Sequence, residues 1–165
     1  MLKPAVFLER DGTLNSLVFD ETRGVMAGPL QPEQLSLERQ AANFVRGLNQ
    51  RGFLVLVVTS QPTVAHGRLD WMGLDRIHQR LRASLSERGA RIDGTFVCPH
   101  DADAGSLPGT AVRSDLAIAC QCRRPAPGLL LRAAAAHQVD LPRSFMICRN
   151  LKDVKAGRSA TVETV

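Results

Sequence analysis

The chain has 165 residues, is 44% hydrophobic and carries a formal net charge of +5, with a pI near 9.6. This length predicts one domain, residues 1–165, with a sizeable core, and no apolar run approaches the roughly 20 residues that span a bilayer. One Trp, no Tyr and no run of five basic residues disfavour a nucleic-acid partner, and the absence of a signal-peptide pattern predicts a cytoplasmic protein.

Predicted strands and helices alternate along the chain. The strands are short apolar runs, expected at residues 5–8, 54–58, 94–97, 145–148 and 161–165, the last of them cut short. The helices have apolar residues three and four apart, expected around residues 37–48, 74–85, 129–136 and 153–160. Gly52 and Gly89 follow helices as stop signals, and Pro127 opens one. This alternation predicts an α/β fold with a mainly parallel sheet.

Parallel sheets bind their ligands at the carboxyl ends of the strands. The polar segments at those ends read ERDGT, TSQ, CPH and CRNLKD, so the chemistry is expected there. The Pro- and Gly-rich residues 100–110 are predicted to form an inserted loop. His66 is predicted to be exposed, and His78 and His137 are predicted to be helix residues without a functional role.

Three of the four cysteines join a histidine in a pattern typical of a metal site. Cys98 and His100 form C-P-H, nineteen residues follow, and Cys120 and Cys122 form C-Q-C. Thiolates and an imidazole in two close pairs can surround one Zn²⁺ tetrahedrally, and four protein ligands leave no open position. The sequence therefore predicts a structural zinc loop at about residues 98–122. Cys148 is predicted to be a core residue.

Four segments occur in the order found in haloacid dehalogenase (HAD) phosphatases: FLERDGTLN, VVTSQPTVAHG, CPH…CQCRRPAPG and SFMICRNLKDVKAG. The chain resembles subfamily IIIA of this superfamily, in the branch of heptose 1,7-bisphosphate 7-phosphatases and the related histidinol-phosphate phosphatases. The resemblance implies a Rossmannoid three-layer fold with a zinc loop and no large cap domain. It also implies a monomer that hydrolyses a small phosphorylated sugar, without nucleic acid or membrane partners.

The resemblance assigns a role to each matching position. Glu9 stands at the nucleophile position, Asp11 at the general acid/base position, and Thr59 and Arg124 at positions that hold the transferring phosphoryl group. Substrate contacts are implied for Ser60, Gln61 and Arg123. A magnesium ion is implied between Glu9, the backbone carbonyl of Asp11, and Asp153.

The chain departs from the family pattern at the reaction centre. Glu9 replaces the nucleophilic Asp, and Arg149 replaces an Asp that would bind the metal. Ser60 replaces an expected Asn and Arg124 an expected Lys. A carboxylate displaced by about 1 Å can lower a rate about a hundredfold. Arg149 puts a positive charge where a ligand should be, so magnesium is expected to bind poorly.

These departures lead to three alternatives. The first is a phosphatase with impaired activity, and the second is a pseudophosphatase that binds a phosphorylated sugar or a protein partner without turnover. The third, a zinc-containing nucleic-acid binder, depends only on the net charge and the cysteine cluster. A further hypothesis is that the longer Glu9 reaches the guanidinium of Arg149, which takes the position of the missing cation.

Overall fold

The structure, a computed structural model, describes residues 2–106 and 111–165. The described strands are β1 Ala5–Leu8, β2 Val18–Asp20, β3 Val25–Ala27, β4 Leu54–Ser60, β5 Gly94–Cys98, β6 Phe145–Ile147 and β7 Glu163–Thr164. The described α-helices are α1 Ala41–Gln50, α2 Trp71–Ser86, α3 Gly128–His137 and α4 Leu151–Ser159.

Five of the strands form one parallel sheet in the order β5-β4-β1-β6-β7. Strand β1 lies in the middle, where Leu8 pairs with Val57 of β4 on one side and Ile147 of β6 on the other. The chain extends the sheet in both directions from β1, so the carboxyl end of β1 is the switch point where such folds bind ligands.

Helices cover both faces of the sheet. In β1, Val6 and Leu8 belong to the core shared with α1 and α2, whereas Ala5 and Phe7 belong to the core shared with α3 and α4. This alternation follows from the period of two along a strand. Because both faces are covered, all four residues of β1 are buried and apolar.

The predicted mainly parallel α/β fold is confirmed, and the helices and central strands lie close to their predicted positions. Strand β4 runs two residues beyond the predicted end, because Thr59 and Ser60 continue the pairing with β5 despite their polar side chains. A two-stranded antiparallel hairpin, β2–β3, was not predicted. Its three-residue strands are too short to show an alternating pattern, and Phe19 and Met26 point their apolar side chains to solvent.

The described residues contain no large cap domain, as predicted. The predicted inserted loop, residues 100–110, and the zinc loop both include residues 107–110, which lie outside the described part. None of the helices in residues 2–106 and 111–165 combines the length and apolar composition that a bilayer crossing requires.

Candidate active site and metal centre

A pocket of about 360 Å³ lies at the carboxyl end of the central strands. Glu9 follows β1 directly, Ser60 ends β4, and the segment between β6 and α4 supplies two further side chains. The lining residues are Glu9, Asp11, Ser60, Arg124, Arg149 and Asn150. The parallel topology therefore brings together residues that are distant in sequence, as the segments ERDGT, TSQ and CRNLKD predicted.

Both carboxylate oxygens of Glu9 are engaged. The residue is 7% exposed, and Oε1 accepts a 2.5 Å hydrogen bond from the hydroxyl of Thr59 and a 3.0 Å bond from the backbone N–H of Arg10. The other oxygen, Oε2, forms an ion pair with Arg124. Burial raises the pKa of Glu9, and the attraction of Arg124 and the bond from Thr59 offset this only in part.

Asp11 lies in the opposite electrostatic environment. The fork of Arg10 donates from Nε to Oδ1 and from Nη2 to Oδ2, both at 3.0 Å. Gln61 donates to Oδ2 at 2.7 Å and Asn15 donates to Oδ1 at 3.0 Å. Burial alone would raise the pKa of Asp11, but Arg10 and these hydrogen bonds outweigh it and lower the pKa.

Asp153 is fully buried at the start of α4. Its Oδ2 accepts a 2.9 Å hydrogen bond from the backbone N–H of Arg149, and its Oδ1 pairs with Arg124. Arg124 thus bridges two buried carboxylates, those of Glu9 and Asp153. Asn150 caps the N-terminus of α4: its side chain accepts hydrogen bonds from the backbone N–H groups of Lys152 and Asp153.

Arg149 lies at the edge of the pocket with its guanidinium against Gly12. Its Nη1 donates a 2.9 Å hydrogen bond to the backbone carbonyl of Asp11, and a Cβ added at Gly12 would lie 1.8 Å from Nη1. The hypothesis that Glu9 pairs with Arg149 is wrong, since Glu9 pairs with Arg124 instead. Arg124 is better placed because its side chain is only 14% exposed and contacts both buried carboxylates.

The positions that the resemblance assigns to magnesium do not fit that ion. Mg²⁺ requires close octahedral contacts with oxygen atoms at about 2.0–2.1 Å. In this chain Arg124 forms ion pairs with the carboxylates of Glu9 and Asp153, and Arg149 donates a hydrogen bond to the backbone carbonyl of Asp11. A divalent cation would have to displace both guanidinium groups.

The Cys/His cluster, by contrast, fits a metal ion. The ligand atoms of Cys98, His100, Cys120 and Cys122 all lie within 4.8 Å of one another. Cys120 Sγ lies 3.6 Å from Cys98 Sγ and 3.4 Å from Cys122 Sγ. His100 Nδ1 lies 3.7 Å from Cys98 Sγ and 3.2 Å from Cys122 Sγ. Zn–S bonds of about 2.3 Å in a tetrahedron place two sulfur atoms about 3.8 Å apart, close to this spacing.

The Cys/His cluster is held against Arg123, the residue that precedes Arg124 of the pocket lining. The Arg123 side chain donates a 2.8 Å hydrogen bond to the carbonyl of His100, and its Nη2 is 3.5 Å from Oδ1 of Asp101. The other oxygen of Asp101 is 2.9 Å from Nε2 of His66. The prediction that His66 is exposed is therefore wrong: it is 4% exposed and is held by this carboxylate.

Sequence reasoning missed a buried pair below the pocket. Arg10 is fully buried, and its Nη1 lies 3.0 Å from Nε2 of His78. Burial, reinforced by the charge of Arg10, lowers the pKa of His78 to about 4, so a neutral imidazole accepts from the guanidinium. A signal was present: Arg10 stands between two acids, two positions after a buried strand. His78 gave no signal beyond its position on a helix face.

Solved structures with a similar fold define the class. A protein named as a HAD-like phosphatase from Mesorhizobium loti has a TM-score of 0.81 and 31% identity, covering 98% of this chain and 70% of that chain. The D,D-heptose 1,7-bisphosphate phosphatase from B. bronchiseptica, solved with magnesium and phosphate, has a TM-score of 0.77 and 26% identity over 98% and 78% of the two chains. This fold and the pocket at its switch point are those of a HAD-type phosphatase.

Sequence relatives identify the branch. The D-glycero-beta-D-manno-heptose-1,7-bisphosphate 7-phosphatase of Rhodopseudomonas palustris is 34% identical over 160 residues, which cover 97% of this chain and 81% of the relative. The protein of the same name from Escherichia coli is 30% identical over 98% of this chain and 76% of its own length. The chain belongs to this phosphatase family, as the motifs predicted. It matches no protein-family model.

Proposed function

We propose that this protein binds phosphate monoesters of small sugars, of the heptose 1,7-bisphosphate type, and hydrolyses them slowly. The observation that carries the proposal is the pocket at the end of β1, where Arg124 and Arg149 lie beside the carboxylates of Glu9 and Asp11. Family membership supports the sugar phosphate as ligand, because the relatives are named for that substrate.

The charged surface around the pocket suits a ligand with two phosphate groups. A second pocket of about 130 Å³ is lined by Ser60, Arg123, Arg124, Asn150 and Lys152. It shares Ser60, Arg124 and Asn150 with the first pocket, so the two adjoin. Guanidinium groups pair with phosphate oxygens through charge-assisted and bidentate hydrogen bonds, which supports one anionic group in each pocket.

The same contacts explain slow hydrolysis. Attack by Glu9 would form a bond between its carboxylate oxygen and phosphorus and break the bond from phosphorus to the sugar oxygen, which would take a proton from Asp11. Both carboxylate oxygens of Glu9 are engaged, one by the hydroxyl of Thr59 and the other by Arg124, so neither is free to attack phosphorus. Asp11 has a lowered pKa, so it holds a proton poorly at neutral pH. The contacts of Glu9 therefore oppose its role as a nucleophile, and those of Asp11 oppose its role as a general acid.

A second candidate function is binding without turnover. The ion pairs that join Glu9 and Asp153 through Arg124 favour it, since they occupy the nucleophile position with a structural contact. We also infer that the metal at Cys98, His100, Cys120 and Cys122 is Zn²⁺ in a structural role, because four protein ligands close the coordination shell.

Equilibrium binding tests the proposal. We expect D-glycero-beta-D-manno-heptose 1,7-bisphosphate to bind in a calorimetric titration, and the unphosphorylated heptose not to bind. Arg123→Gln should weaken binding about tenfold, because it removes one charge-assisted contact. Arg132→Gln, an exposed position on α3, is the matched control and should leave affinity unchanged. Equal binding of the two sugars would refute the proposal.

A further inference from the structure

We propose that the guanidinium of Arg149 takes the place of a divalent cation, so that the pocket binds phosphate without Mg²⁺. This inference rests on the proposed function, since it concerns how the same pocket holds the phosphate group. It assigns to Arg149 a phosphate-binding role that the family position, a metal-ligand Asp, does not have.

The contacts of Arg149 support this role. Its Nη1 hydrogen-bonds the carbonyl of Asp11, the backbone oxygen that the resemblance assigns to the metal. Gly12 leaves the space for it: any larger residue there would overlap Nη1, which lies 1.8 Å from the position of a Cβ. The backbone N–H of Arg149 holds Asp153, so the same residue also engages the last implied ligand.

The formal charges of the pocket floor balance without a metal. Three carboxylates and three guanidiniums lie in the pocket or directly beside its lining residues: those of Glu9, Asp11, Asp153, Arg10, Arg124 and Arg149. A carboxylate at position 149 would leave two negative charges in excess, which one divalent cation would cancel. With Arg149 the charges cancel already, so a divalent cation would add an uncompensated charge of two in a partly buried site.

Arg149 also has donors to offer a ligand. It is exposed, and the hydrogen bond to Asp11 is the one side-chain bond it makes to the described residues. Its other N–H groups make no hydrogen bond to the described residues, and Arg149 lines the same pocket as Arg124. Two guanidinium groups on one pocket form a cation pair that suits the oxygens of a phosphate dianion.

Two calorimetric titrations test the inference on the zinc-loaded protein. The buffer is freed of Mg²⁺ by resin, because a chelator added to the protein would compete for the Cys/His site. Inorganic phosphate should bind with the same dissociation constant with and without added Mg²⁺, and Mg²⁺ alone should produce no binding heat. Phosphate binding that requires Mg²⁺, or Mg²⁺ binding to the unaltered chain, would overturn the inference and leave the proposed function intact.

Substitutions at position 149 sharpen the test. Arg149→Gln should weaken phosphate binding in the Mg²⁺-free buffer about tenfold or more. Arg149→Asp should lose that binding and gain a Mg²⁺ titration. Arg158→Asp makes the same charge change at an exposed position near the C-terminal end of α4. This control should keep phosphate binding and should not bind Mg²⁺. Unchanged phosphate affinity in Arg149→Gln would also overturn the inference. No phosphate binding in either buffer would instead overturn the proposed function, and the inference with it.

Discussion

At the scale of single residues, the buried Arg10 organises the floor of the pocket. It is fully inaccessible to solvent, and its guanidinium contacts Asp11 at one end and His78 at the other. A buried charge is tolerated when its donors are satisfied, and the loss of one partner is costly. His78 can accept from Arg10 only while its imidazole is neutral, so protonation of this histidine would break the arrangement.

This contact predicts a pH-dependent stability. The pKa of His78 is lowered from 6.5 to about 4, so the unfolded chain takes up a proton before the folded chain does as the pH falls. The stabilisation is present above pH 6.5 and is lost between pH 6.5 and about 4, which corresponds to about 3 kcal/mol. His78→Gln, which keeps an acceptor but does not titrate, should remove most of that loss in urea unfolding. His137→Gln on α3 is the control, and equal pH slopes in the two variants would contradict the prediction.

The identity of the unusual residues could be predicted from sequence, but their partners could not. Glu9 and Arg149 are visible departures from a motif, and both lie in the pocket. Which arginine Glu9 pairs with depends on the competition between Arg124 and Arg149 for the same carboxylate, a matter of side-chain reach and burial. One sequence carries no information on that competition, so the predicted pair was wrong.

At the scale of elements, the Cys/His cluster joins the end of β5 to the start of α3. Cys98 is the last residue of β5, and Gly128 begins α3 against the cluster segment, with a Cβ position 2.2 Å from the carbonyl oxygen of Gln121. Arg123 and Arg124 lie between these two fixed points. A metal bound by the Cys/His cluster is therefore expected to hold Arg123 and Arg124 in place.

Loss of the metal should consequently affect both stability and binding. Cys120→Ser is expected to abolish zinc uptake, lower the free energy of unfolding by at least about 2–3 kcal/mol, and weaken phosphate binding. Cys148→Ser, outside the cluster, is the matched control and should retain zinc. Metal content, thermal unfolding and phosphate titration on the same samples check the prediction. Wild-type affinity for phosphate in a zinc-free Cys120→Ser protein would show that the loop does not position the arginines.

The elements with long, clean patterns were the predictable ones. The apolar run of β4 and the three- and four-residue spacing in α2 gave their positions, because burial against the sheet imposes those periods. The β2–β3 hairpin gave no such signal, since its apolar side chains are partly exposed. A bidentate ion pair stabilises the hairpin: both terminal nitrogens of Arg68 donate to the carboxylate of Asp20, 48 positions away in sequence.

At the scale of the whole molecule, the topology determines where the chemistry can occur. Strands β4 and β6 flank β1, so the segments that follow all three meet at one edge of the sheet. The alternation of strands and helices predicted this edge, and the family resemblance predicted which side chains lie there. Neither could predict the balance of charge, which depends on the contacts of six charged residues from three separate segments.

Release of inorganic phosphate from D-glycero-beta-D-manno-heptose 1,7-bisphosphate, with and without Mg²⁺, tests the account most directly. We predict slow release by the unaltered protein that Mg²⁺ does not accelerate. The double variant Glu9→Asp, Arg149→Asp should be at least about a hundredfold faster, and only with Mg²⁺, because it restores the carboxylate position and the excess negative charge. Rapid, Mg²⁺-dependent release by the unaltered protein would contradict the account.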